Sequence, residues 1–88
     1  MPSEPIADQR FNNFVLLQAQ NAGLFLGQLP HPATGQKSVN LVAAQSVIDS
    51  LQMLATKTTG NLTAEEHTLL TKAIDNLTHL YKEAEDLG

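Results

Sequence analysis

The sequence predicts an all-α fold of three helices. The second and third helices form an antiparallel αα-hairpin, and a long Pro/Gly linker joins a first helix to it. Three observations carry this expectation. Apolar residues recur at three- and four-residue spacing along three segments of the 88-residue chain. Helix punctuation stands between those segments: Asp8, Asn40 and Thr63 sit where N-caps belong, and Gly27 and Gly60 follow the first two. Only Gly60, Asn61, Leu62 and Thr63 separate the last two segments, and so short a connection makes its helices antiparallel neighbours.

Residues 1–7 hold two prolines and no periodic pattern, which predicts a flexible N-terminal tail ahead of a single helical domain over residues 8–88. The first helix is expected from Asp8 to Leu26, with Gly27 as its C′ stop. At 100° per residue, Phe11, Phe14, Val15, Ala22, Phe25 and Leu26 share one face. Leu17 and Leu24, with Leu16 at the edge, fall on a second strip. The residues between are amides, and no Asp, Glu, Lys or Arg occurs from Phe11 to Gln36. A helix apolar on two sides calls for more than one neighbour. Gly23 weakens this helix by up to about 1 kcal/mol relative to Ala and allows a close backbone approach.

Residues 27–40 are a linker in which Pro30, Pro32 and Gly35 forbid a continued helix. Its length lets it cover a groove or let the first helix dock on another subunit. The second helix is expected from Leu41 to Thr59 behind Asn40. Its stripe is Leu41, Ala44, Val47, Ile48, Leu51, Leu54, Ala55 and Thr58. The third is expected from Ala64 to Asp86. Thr63 and Glu66 form a capping box at its start. Leu70, Ala73, Ile74, Leu77, Leu80, Tyr81 and Ala84 make its stripe, which Leu69 and Leu87 widen. Glu83, Glu85 and Asp86 oppose the helix dipole, so the last turn should fray.

Composition excludes several function classes. With no cysteine, thiol catalysis, thiolate metal sites and disulfides are ruled out. Nine acidic residues against five scattered basic ones disfavour direct nucleic-acid binding. The longest apolar run, Phe14–Leu17, is far short of the roughly 20 residues that span a membrane, and Met1–Arg10 has no signal-peptide core, so a cytoplasmic location is expected.

Two segments carry a family resemblance. Ile48-Asp49-Ser50-Leu51-Gln52-Met53-Leu54 fits ID-x-L-x-x-L, and Lys57-Thr58-Thr59-Gly60-Asn61-Leu62-Thr63-Ala64-Glu65-Glu66 fits KT-x-GNLT-x-EE. With Phe11, Phe14, Leu26-Gly27, Pro30, Pro32, Thr34, Gly35, Leu69, Leu70, Leu77 and Tyr81, the chain resembles a small bacterial domain family of unknown function over about residues 11–81. The resemblance implies no activity. Some relatives are encoded beside translation-initiation and ribosomal-protein genes, which implies, by association alone, a translation- or ribosome-associated accessory factor as an alternative function. Thr78 stands where relatives carry Arg after the leucine matching Leu77, so an anion contact through that Arg is not expected here.

The candidate chemistry is sparse. Lys57, Thr58, Gly60, Asn61, Thr63 and Glu66 read as an anion cradle or, with fewer assumptions, as caps for two helices. Asp49 is a candidate polar site without a nameable titratable partner. His31, His67 and His79 lack metal-ligand spacing, so neither a metal nor a cofactor is expected. His79 suits a surface pair with Asp75 or Glu83. Phe14, Leu17, Leu24 and Phe25 are the candidate interface. The sequence therefore favours a non-catalytic protein-interaction module that self-associates, as a dimer, with an unidentified protein partner as a further option. A small-molecule-binding or enzymatic domain built on Asp49 and the Lys57–Thr63 turn is the other alternative.

Overall fold

A computed structural model describes residues 6–87 and side chains as far as Asp86. It contains α1 (Gln9–Phe25), α2 (Leu41–Lys57) and α3 (Ala64–Leu87), each packed against the other two. Residues 1–5 of the expected tail lie outside the described residues, and Ile6 and Ala7 are exposed.

The caps set the helix boundaries. Asp8 is extended, and its carboxylate accepts the Arg10 N–H at 2.9 Å. Asn40 does the same for α2, accepting the Ala43 N–H at 3.0 Å. Thr63 and Glu66 close the capping box reciprocally: Thr63 Oγ1 accepts the Glu66 N–H at 3.1 Å, and Glu66 Oε1 accepts the Thr63 N–H at 3.0 Å. At the end of α1, Gly27 adopts φ 75°. Its N–H donates to Leu24 O at 3.1 Å and the Gln28 N–H donates to Gly23 O at 2.9 Å, the pairing of a Schellman motif. α2 stops at Lys57, two residues earlier than expected. Thr58 caps it, and a turn closed by Asn61 N–H to Thr58 O at 2.8 Å places the positive φ at Gly60, beyond the C′ position.

The linker is a closed loop. Leu26 and Val39 form an antiparallel bridge, and the Asn40 N–H donates to Phe25 O at 2.6 Å. The end of α1 therefore lies beside the start of α2, while residues 28–40 stay exposed. At the other end of the molecule the Asp8 N–H meets the Glu66 carboxylate. Together with the short α2–α3 turn, these contacts give an up-down-up bundle.

The core takes one stripe from each helix: Val15, Ala22 and Leu26 from α1 and its cap, Ala44, Ile48 and Leu51 from α2, and Leu70, Leu77 and Ala84 from α3. Every expected stripe residue of α2, and those of α3 from Leu69 to Ala84, is buried or half-buried. The side chain of Leu87 lies outside the described residues. One expectation is corrected. Phe14 leaves the core face and is 49% exposed, because its position is about 80° round the helix from Ala22, at the margin of the buried stripe. α3 runs one residue beyond the expected Asp86, to Leu87, with Ala84 buried in its last turn and His79 paired to Glu83 at 2.9 Å one turn earlier.

The two glycines of α1 differ in what they require. A Cβ at Gly23 would meet only the Leu29 side chain, at 3.6 Å, an ordinary contact. At Gly27 it would lie 3.1 Å from Val39 Cγ2 on a left-handed backbone. Gly23→Ala is expected to raise stability by up to about 1 kcal/mol, and Gly27→Ala to lower it by about 1–2 kcal/mol. Urea midpoints of the two variants check this; an equal response would contradict the assignment.

Candidate functional site

The candidate interface residues lie on or beside the outward side of α1. Phe14 and Leu17 are 49% and 53% exposed, and Leu24 is half-buried without joining the core. Phe25 is half-buried and packs against the core, so it borders this surface from the inner side. Leu16 is also half-exposed, but about 100° round the helix from Leu17, on the other flank. The polar neighbours Asn13, Gln20 and Asn21 are exposed amides. The face is therefore apolar at intervals, amide-rich between, and uncharged from Phe11 onward.

The Lys57–Glu66 segment is organised by one carboxylate. Glu66 is only 4% exposed, yet it is charged and well bonded. Oε1 accepts the Thr63 N–H, and Oε2 accepts the Asp8 N–H at 2.8 Å across 58 residues of sequence. The Thr63 N–H, then that of Asp8, hold its carboxyl below the ordinary value against the opposing effect of burial. An outside anion at this helix start would have to displace a carboxylate already seated there. Thr58 donates its hydroxyl to Leu54 O at 2.7 Å, and Lys57 is exposed in the last turn of α2, where its charge suits the helix dipole. A depression of about 330 Å³ opens over this turn, lined by Thr58, Gly60, Leu62, Thr63 and His67 among others.

Asp49 lies elsewhere, in an open groove of about 650 Å³ beside α2 with Leu41, Val42, Ser46, Met53 and Tyr81. Its carboxylate accepts the Gln45 side-chain N–H at 2.8 Å. Asp49 and the Lys57–Thr63 turn share no depression, and two turns of α2 separate them, about 12 Å. The structure does not gather the two into one catalytic set. Two groove residues escaped the sequence reading. Val42 is 84% exposed and Met53 54% exposed. Both are apolar residues off the α2 stripe, and that misplacement was the available signal.

Asp8 forms the other ionic feature. Its carboxylate is held at about 2, first by the hydrogen bond from the Arg10 side chain and then by the Arg10 N–H. The ion pair measures 2.7 Å and lies at the surface. Among the described residues no group of three or more His, Asp or Glu could hold a metal ion, and no helix is long and apolar enough to cross a membrane.

Comparison with known families finds one match: the family described as Domain of unknown function (DUF1844) covers residues 8–83. No curated protein and no solved structure matches the chain.

The Glu66 bridge has a pH signature. Because its carboxyl is lowered in the folded state, its stabilisation is complete above the ordinary value of 4.5 and is lost as pH falls through the folded value. Urea midpoints at pH 7 should show Glu66→Gln less stable than the native chain, and the gap should narrow by pH 3. Thr63→Ala, which removes the cap and a smaller contribution of its hydroxyl to the Glu66 carboxylate, should cost about 1 kcal/mol at pH 7 and less at pH 3. Equal midpoints for Glu66→Gln and the native chain at pH 7 would remove the bridge from the account.

Proposed function

We propose a function for the chain as a member of the DUF1844 family, to which it belongs over residues 8–83: a non-catalytic, self-associating protein-interaction module. The observation that carries this reading is the outward side of α1. Phe14 and Leu17 remain about half exposed on a helix that has already contributed Val15, Ala22 and Leu26 to the core. Such apolar surface on a small bundle marks a place of association. A charged solvent face would be the ordinary choice for a helix with only one neighbouring surface. α1 carries amides there instead, which hydrogen-bond without imposing a charge on a partner.

What surrounds this face supports binding rather than turnover. Catalysis by a carboxylate needs a second group in reach of the substrate. Asp49 has a glutamine amide as its bonded neighbour, and the Thr58 and Thr63 groups of the Lys57–Thr63 turn are committed to caps and turns.

The test is absolute mass in solution, by light scattering across a concentration series, for the native chain and for Leu17→Asp and Leu24→Asp. A dimer mass is expected for the native chain, with a shift of each variant to monomer at concentrations where the native chain stays dimeric. Helicity should be unchanged, because Leu17 is half exposed and Leu24 stands outside the core. A native chain that stays monomeric at millimolar concentration would sink the self-association.

A further inference from the structure

We infer that two copies of this chain meet along α1 in parallel, around a two-fold axis, with Asn21 of each copy hydrogen-bonded to its counterpart. The inference rests on the self-association proposed above and adds the geometry of the seam. Phe14, Leu17, Asn21 and Leu24 follow each other at steps of three, four and three residues, the spacing that keeps one edge of a helix against a partner helix over three turns. Phe14, Leu17 and Asn21 are exposed and Leu24 is half-buried outside the core, so three of the four positions are open to a second helix. It lies on the side of α1 away from Val15, Ala22 and Leu26, and the bundle need not open to present it.

Charge points to a second copy as the occupant. The chain carries a net charge of −4, so two copies repel wherever their acidic groups approach. α1 has no charged side chain after Arg10, and Arg10 is neutralised by Asp8 at 2.7 Å. This is a long face along which like copies approach without facing charges. Its amides suit the same occupant, since each carries both a donor and an acceptor and is complementary to itself.

Asn21 decides the direction. In a parallel pair, equivalent positions face each other: Leu17 meets Leu17, and the Asn21 amides meet and satisfy one another. In an antiparallel pair centred on the same seam, Asn21 faces Leu17 and Phe14 faces Leu24. Each amide is then buried against an apolar side chain with its donors unmade. A single amide among apolar seam positions is the device that fixes register in paired helices.

The chain has no cysteine, so single-cysteine reporters read the geometry directly. Leu17→Cys and Leu24→Cys are each made alone, with Met53→Cys on α2 as control. Under mild oxidation the first two should form disulfide-linked dimers at least roughly tenfold faster than the control, since equivalent seam positions lie within disulfide reach. Asn21→Asp should weaken dimerisation of the cysteine-free chain by roughly tenfold or more, because two carboxylates would then face each other. A dimer in which neither single variant links, but Phe14→Cys mixed with Leu24→Cys does, overturns the parallel seam and leaves self-association standing. An Asn21→Asp variant that dimerises like the native chain also overturns it. A native chain of monomer mass at every concentration overturns both readings.

Discussion

The carboxylate of Glu66 ties the start of α1 to the start of α3. One oxygen closes the start of α3 and the other accepts the N–H of Asp8, the residue that caps α1. A buried charge is tolerable only when it is well bonded, and here each carboxylate oxygen accepts a backbone N–H. The bond fixes a direction as well as a distance. With the N-termini of α1 and α3 side by side, and α2 reversed by the short Gly60–Thr63 connection, only an up-down-up bundle remains. The bridge between Leu26 and Val39 then completes the other end. Pinning both ends of α1 leaves its rotation about its own axis to the core stripe, and that rotation decides which residues stay outside.

Three helices that meet along one stripe each cannot cover every side of any of them. The bundle measures 51 × 25 × 16 Å, and each of its helices keeps a side turned to solvent. α2 meets this constraint with Asp49, Ser50, Gln52 and Thr56 turned outward, beside the exposed Val42 and Met53. α3 meets it with Glu65, Lys72, Asp75 and Glu83. α1 has leucine, phenylalanine and amides on that side. What sets α1 apart from its two neighbours is that its exposed side carries no charge after Arg10, while each helix buries the face that its periodicity dictates.

Much of this fold was legible in the sequence, because helices, caps and stripes are local or periodic facts. Asp8, Asn40 and the Thr63–Glu66 box act within four residues of themselves, and the α2 stripe repeats often enough to average out single exceptions. What escaped is non-local or marginal. The bond from Asp8 to Glu66 spans 58 residues, and no spacing rule encodes it. The closure of the 27–40 loop depends on Val39 and the Asn40 N–H reaching back to Leu26 and Phe25. Phe14 stood at the margin of its stripe, where the burial of a large ring depends on how far the neighbouring helix leans across. Of the candidate site, the two-sided character of α1 was legible. The separation of Asp49 from the Lys57–Thr63 turn was not, since sequence proximity and a shared family pattern join what the helix geometry sets apart.

The capping groups bear on function by what they use up. At the start of α3, the backbone donors that could greet an anion already include one held by Glu66 and one by Thr63. At the end of α2, Thr58 and Thr59 hydroxyls bond back to Leu54, Ala55 and Thr56 carbonyls. A motif that looks like a ligand cradle in one dimension therefore spends several of its polar groups on its own caps and turns. The same reasoning applied to α1 runs the other way. The Asp8 cap and the Gly27 turn close its two ends, yet Phe14, Leu17, Gln20 and Asn21 on its outward side stay exposed. Polar groups satisfied within the fold hold it together, and groups left unsatisfied at its surface are where a partner can add free energy.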